Sequence, residues 1–271
     1  MRSGADVDVA GLRRVVVASA LTVTALQAAT ARLALRDGRR DYADAAWGPG
    51  LAAVALTSAL LGRGDPTRRW GLAAVTTAWA ARLEHQMRGR IRGSDQEDPR
   101  YTEFLEGDGT AAVLVKVFVT QAASQLIVAA PIQLAAASRL PRGARRRLVP
   151  AGLALMSAGA VIEALADRQK SRYSERDKSE RPDVLDTGLW GVSRHPNYFG
   201  DSLVWDGAWV AAAASAPAGL TLPAPALMSY LLMFATGAKR TESRMQERPG
   251  YRDYQQRVAF FFPRPQRRRS S

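Results

Sequence analysis

Long Ala, Val and Leu tracts recur along this chain, separated by short clusters of arginine. Seven of them have the length and character of membrane helices: 15–35, 44–61, 70–86, 111–137, 148–166, 200–216 and 220–238. The third is the most polar, because Arg82, Glu84 and His85 fall inside it, and it suits a buried or tilted helix. By contrast, 111–130 carries a single charge, Lys116. A soluble, Ala-rich helical bundle is the competing reading, and that nearly uncharged run argues against it. The pattern predicts an all-α fold, a polytopic integral membrane bundle of about six or seven transmembrane helices. One membrane domain covers 1–265, with 148–265 holding most of the motifs and 266–271 forming a basic, disordered tail.

Bulk composition hides this. Mean hydropathy is only −0.17, and 47% apolar residues is ordinary for a soluble protein. The arginines in the loops dilute the average. A net charge of +13 invites a nucleic-acid reading. The basic residues, however, lie between apolar spans and at the C-terminal end, where they favour anionic headgroups. Neither a zinc-finger spacing nor an RNA-binding aromatic motif accompanies them, so no nucleic-acid partner is expected. The expected surroundings are a lipid bilayer.

Arginine counts also orient the chain. With seven spans and the C-terminus inside, segments 36–43, 88–110, 167–199 and 239–271 hold 24 Lys and Arg, and the opposite side holds 11. The loop 138–147, with five arginines, runs against this orientation. The chain has no cysteine, which excludes disulfides, thiolate nucleophiles and Cys-ligated metals. Two histidines, His85 and His195, do not make a His-rich metal site. The first apolar span is too long for a cleavable signal peptide.

Residues 188–205, GLWGVSRHPNYFGDSLVW, carry the most chemistry. Arg194, His195, Asn197, Tyr198 and Asp201 fall within eight residues, and an apolar segment follows at once. Pro196 suits the first turn of a helix, where its missing N–H is no loss. A helix beginning there puts Asn197 and Asp201 four apart on one face, with Arg194 and His195 at its mouth beside free backbone N–H groups. A helix N-terminus with a cation beside it suits a phosphate. An unpaired amide and carboxylate at the start of an apolar helix cost roughly several kcal/mol in lipid. An aromatic belt alone accounts for Trp190 and Tyr198, but not for these two groups.

The stretch LWGVSRHPNYFGD resembles the signature of the steroid 5-alpha-reductase-like family of bacterial membrane proteins, the domain of unknown function 1295. That family is related to sterol reductases and, more distantly, to isoprenylcysteine carboxyl methyltransferases. IEALADRQK (162–170), EDPRY (97–101), DAAWG (44–48) and ESRMQERPGYRDYQQRVAFFFP (242–263) fit the same family, so the resemblance spans roughly 40–265. It implies an inner-membrane reductase that takes NADPH in a pocket on the cytoplasmic side. Hydride would pass to an activated C=C bond of a lipophilic substrate: steroid-like, isoprenoid or lipid. The resemblance assigns Lys170 and Arg194 to phosphate. Asn197, Asp201 and Glu242 would orient ribose and carboxamide, and Trp190, His195, Tyr198 and Tyr254 would line the pocket. No Rossmann or P-loop fingerprint is present.

Lys170 shares a helical face with Glu163 and Asp167. Snorkelling at the membrane boundary is its plain alternative. Tyr251, Tyr254, Val258 and Phe261 form an amphipathic stripe. Glu242 either serves the site or pairs with Arg240 or Arg244. Relatives that reduce steroids use an acid and a tyrosine from the N-terminal half. Tyr101 is the candidate proton donor here, held by Asp98 or Glu97, with Glu84 and His85 as rivals and a plain Arg100–acid pair as the structural alternative. Asp206 stands where many relatives carry an aromatic residue, and Arg82 is a possible partner for it. Two other readings stay open. One is an S-adenosylmethionine-dependent methyltransferase of the isoprenylcysteine type. The other is a non-catalytic membrane scaffold with a degenerate site.

Overall fold

The computed structural model describes residues 7–215, 218–235 and 237–266. Among them the regular structure is helical, without a strand; the sole β-type pairing is an isolated bridge between Val7 and Ser138. Residues 267–271 of the expected tail lie outside the described residues, as do 216 and 236 of the last two expected spans. Four helices are long and apolar enough to cross a membrane: Val9–Asp37, Tyr42–Leu61, Thr110–Val128 and Ala144–Ser174. The other expected spans are also helical, but shorter or more polar. The chain divides into two compact units, one of Met1–Leu153 with Ala208–Ala224 and one of Ala154–Gly207 with Pro225–Ser271.

In the first unit, α1 (Val9–Asp37) is capped by Asp8, whose Oδ1 accepts from the Gly11 N–H at 2.9 Å, and ends at Gly38 with φ 66°. Its buried positions run Gly11, Val15, Ser19, Val23, Gln27, Ala31 and Ala34, close to one every four residues. Val9, Val16, Val17, Leu21, Leu33 and Leu35 stay exposed. Exposed apolar side chains opposite a buried stripe suit a lipid bilayer rather than water.

The next helix, α2 (Tyr42–Leu61), packs on both α1 and α3 (Pro66–Arg92). Pro49 inside α2 removes a backbone donor. Close to it, Gln125 Nε2 donates to the Ala46 and Trp47 carbonyls at 3.0 and 2.9 Å. Asp65 and Pro66 start α3 earlier than the apolar pattern alone suggests. The short α4 (Pro99–Phe104) follows.

The expected 111–137 span is broken in two ways. A π-helical turn, Leu114–Val119, joins α5 (Thr110–Val113) to α6 (Thr120–Val128), and α7 (Ala130–Ala136) restarts at a proline-bearing N-terminus after Ala129. Pro131 cannot donate to a carbonyl four residues back, so the helix stops.

In the second unit, α8 (Leu148–Ser174), shared between the units, approaches α9 (Pro196–Ala212) through glycine. A Cβ on Gly159 would lie 2.5 Å from the Gly200 carbonyl oxygen, and one on Gly200 would lie 2.6 Å from the Glu163 nitrogen. Only glycine permits this backbone approach. It brings the polar positions of α8 level with those of α9. The remaining helices are α10 (Pro223–Tyr230), α11 (Ala238–Met245) and α12 (Tyr251–Arg257).

Candidate functional site

The signature segment belongs to the second unit, and α9 begins at Pro196 as its sequence predicts. Just before it, residues 192–194 run along the C-terminal segment. The Arg194 N–H donates to the Ala259 carbonyl at 2.8 Å, the Arg264 N–H to the Val192 carbonyl at 3.0 Å, and the Ser193 hydroxyl to the Phe261 carbonyl at 2.7 Å.

Glu242 on α11 is the hub. Its Oε1 accepts from Arg194 Nε at 2.5 Å and lies 3.2 Å from His195 Nε2. Its Oε2 accepts from Arg194 Nη2 at 3.2 Å and from Gln255 Nε2 at 3.1 Å. Arg194 Nη1 donates to the Gln255 and Val258 carbonyls at 2.8 and 2.7 Å, and the guanidinium lies 5.5 Å from the Phe260 ring centre. Arg194 thus ties α11 and the chain after α12 to the mouth of α9.

Burial pushes the Glu242 carboxyl up, but the hydrogen bonds from His195 and Arg194, with the arginine charge, hold it at about 2. Burial pulls His195 below the usual imidazole value, against the opposing pull of Glu242. His195 is therefore neutral near pH 7, with Nε2 as the nitrogen placed to donate to Glu242. Its ring stacks on Tyr198 at 5.8 Å.

Beside the hub, the Tyr254 hydroxyl donates to the Trp190 carbonyl at 2.7 Å, and Trp190 Nε1 donates to the Ala166 carbonyl at 3.0 Å. Burial raises the Tyr254 hydroxyl well above the ordinary phenol value. The ammonium of Lys170, an exposed residue, lies 5.8 Å from the Trp190 ring centre.

Farther along α9, Asn197 Nδ2 donates to Asp167 Oδ1 at 3.1 Å, while Asn197 Oδ1 is buried with no partner among the described residues. Asp201 accepts from Trp205 Nε1 at 3.3 Å. Glu163, Asp167 and Asp201 are all buried. The sequence reading noticed the face shared by Glu163, Asp167 and Lys170 but did not give Asp167 to Asn197. Two acids one turn apart in an apolar helix were the signal for such a partner.

The stripe of Tyr251, Tyr254, Val258 and Phe261 is buried, as its periodicity predicts. Glu242 pairs with Arg194 and His195, partners that local spacing did not suggest.

In the first unit, Tyr101 requires a correction. Its hydroxyl donates to Asp44 Oδ1 at 2.7 Å, not to Asp98 or Glu97. Asp98 instead caps α4, accepting from the Arg100 N–H at 2.9 Å and from that guanidinium, while Glu97 pairs with Arg40. Asp98 is taken by Arg100 and Glu97 by Arg40, and it is Asp44, at the start of α2, that meets the tyrosine. Arg100 and Arg90 reach Asp44 at 2.8 and 2.5 Å. Burial and the Asp44 charge raise the Tyr101 hydroxyl well above its ordinary value. Glu84 pairs with Arg88 one turn on, and Arg82 donates to Gln86. Among the described residues no group of His, Asp and Glu is arranged to hold a metal ion.

A family model described as "Protein of unknown function (DUF1295)" matches residues 31–258. A 33% identical relative over 122 residues is "Uncharacterized protein C594.04c" of Schizosaccharomyces pombe. The match covers 38% of this chain and 36% of that protein. No solved structure matches.

Proposed function

The chain belongs to the DUF1295 family, whose description assigns no activity, and we propose, from the resemblance of its signature segment and the geometry around Asn197, that it is a membrane-embedded reductase using NADPH on a lipophilic substrate. In this reading α3, α9 and the helix from Pro223 add to the four apolar helices and make up the six or seven spans. The segments after α8 and after α10 face the cytoplasm.

One observation carries the cofactor assignment. Asn197 Oδ1 is a buried acceptor without a partner among the described residues, near the start of a helix whose mouth is held by the Arg194–Glu242 pair. A carboxamide N–H or a ribose hydroxyl would supply the donor that this oxygen lacks, which supports a dinucleotide here. Asp167 fixes the Asn197 amide so that its oxygen is the open atom. Lys170 is the candidate phosphate cation, with Trp190 beneath it. Arg194 spends four side-chain hydrogen bonds on Glu242 and two carbonyls, so its role is to hold the mouth together. Bound NADPH would supply hydride. Tyr101 is the candidate proton donor, with Asp44 as its positioning partner. At rest its proton points to Asp44, and the hydroxyl must rotate to serve a substrate oxygen.

Methyl transfer and a non-catalytic scaffold are the competing readings. Calorimetry on detergent-purified protein separates the readings. NADPH is expected to bind more tightly than S-adenosylmethionine, and Asn197→Ala should weaken NADPH by about tenfold to a hundredfold, the loss of one buried hydrogen bond. The opposite order of affinities would favour methyl transfer. Equal NADPH binding by wild type and variant would sink the Asn197 assignment, and no binding of either would favour a scaffold.

A further inference from the structure

At one end of the first unit, four separate segments are tied together around Arg68. This residue is fully buried and donates to the Ser215 hydroxyl at 2.6 Å and to the Ala135 and Ser138 carbonyls at 2.8 Å each. Asp8 N–H donates to the Ala137 carbonyl at 2.8 Å, and Gly64 N–H to the Ala136 carbonyl at 2.7 Å. The Ser215 hydroxyl donates to the Arg139 carbonyl at 2.7 Å, and Arg145 Nη2 to the Ala213 carbonyl at 3.0 Å. The knot holds the starts of α1 and α3 beside the 138–147 loop that leads into α8.

Arginine covers the outside of this knot. Arg63, Arg139, Arg142, Arg145, Arg146 and Arg147 are exposed. Among the described residues, the one carboxylate within ion-pair reach of any of them is Asp65, 4.0 Å from Arg146. Asp65 and Asp8 are both occupied as helix caps. α1, α3 and α8 start here while α2, α7 and α9 end here, so the helix dipoles offset one another and the positive field is that of the arginines. Val9, Leu60, Trp70 and Leu220, close in sequence to the segments of this knot, are exposed apolar side chains.

We infer that this end of the first unit binds the phosphate headgroups of anionic phospholipids. Guanidinium forks match phosphate oxygens in pairs. The apolar rim selects the source, because a soluble polyanion has nothing to place against exposed leucine and tryptophan, whereas a phospholipid brings acyl chains with its phosphate. The five arginines of 138–147 run against the orientation that the arginine counts favour. Headgroup binding gives them a purpose on whichever side of the membrane they lie.

The test uses the full-length protein in phosphatidylcholine nanodiscs containing increasing phosphatidylglycerol, with thermal midpoint and lipid retention in native mass spectrometry as readouts. Wild type should be stabilised by phosphatidylglycerol and retain it selectively. The variant R142Q/R145Q/R146Q/R147Q should lose at least about tenfold in apparent affinity, since each surface arginine contributes to attraction by an anionic headgroup. The matching arginine-to-lysine variant, which keeps the charge, should retain most of the preference and shows that the loop still folds. R88Q/R92Q, on the far end of α3, should behave as wild type. No phosphatidylglycerol preference in wild type, or full preference in the glutamine variant, would overturn the inference. So would inorganic phosphate at millimolar concentration reproducing the stabilisation, which would indicate a soluble phosphate site.

Discussion

Glu242 in the second unit and Asp44 in the first both gather arginine and sit beside tyrosine, yet their surroundings differ. The Glu242 and Arg194 side chains are each 11% exposed, whereas Asp44 is 21% and its partner Arg90 45% exposed. Arg194 turns its remaining N–H groups to main-chain carbonyls, so the Glu242 cluster closes over the C-terminal segment. The Asp44 cluster turns to a half-buried tyrosine hydroxyl, and its Arg90 reaches into solvent. A sheltered pair is strong because neither partner can return to water. A wet pair is weak in stability, though it can still set the state of its neighbour.

The largest effect should come from breaking the sheltered pair. Glu242→Ala leaves Arg194 buried without a counter-charge and His195 without its acceptor. Loss of one member of a buried pair costs about 3–5 kcal/mol. Denaturant or thermal unfolding in detergent should show it, together with release of the 258–264 segment to proteolysis. A variant within about 1 kcal/mol of wild type would mean the cluster is as weak as an exposed pair.

Titration with acid sharpens the contrast. Glu242 has a folded value near 2, below its ordinary 4.5. Its stabilisation, on the order of 3 kcal/mol by linkage, is complete above the ordinary value and fades as pH falls toward 2. His195 is also depressed, below 6.5. The unfolded chain therefore takes up its proton first, and stability begins to fall as pH drops below about 6.5. Asp98 in the first unit is lowered too, since the Arg100 bonds outweigh its burial, so it adds to the acid-side loss only below 3.8. The thermal midpoint should thus decline in two stages from pH 7 downward. His195→Gln should remove the upper stage and leave the lower one. A single stage below pH 4 in wild type would show that His195 is not buried neutral.

These clusters mark where sequence reading ran out. Helix positions were legible where the signal is local, as at Pro196, which opens α9, whereas the apolar pattern placed the third span at 70–86 and passed over the Asp65–Pro66 start of α3. The stop at Ala129 was written in Pro131, but apolar continuity across 111–137 concealed it. The signature residues were legible as a group, and their partners were not. Arg194 meets Glu242 across 48 residues, Asn197 meets Asp167 across 30, and Tyr101 meets Asp44 across 57. No helical periodicity links such positions. For Tyr101, the nearby Asp98 and Glu97 are committed to Arg100 and Arg40, so proximity along the chain misled.

The smallest effect is expected at the rim, and it separates stability from chemistry. Asp44→Asn keeps an acceptor for Tyr101 but removes the charge that faces Arg90 and Arg100. Those arginines retain Asp98, at 3.8 and 2.8 Å, and Arg90 is half in water. The stability loss should be about 1 kcal/mol or less, as for exposed pairs. The Tyr101 hydroxyl should respond more clearly. Asp44 raises it by charge and by hydrogen bonding, and the arginines oppose this. With the negative charge gone and the positive charges still present, the Tyr101 value should fall, although burial keeps it above that of an exposed phenol. An ultraviolet difference titration of D44N against wild type, with Tyr101→Phe as the blank, reads this directly. A lower tyrosinate midpoint with little change in stability would mark the rim pair as a device for holding a proton. A large loss of stability with no change in the midpoint would make Asp44 a structural anchor like Glu242, and the contrast between the two clusters would fall.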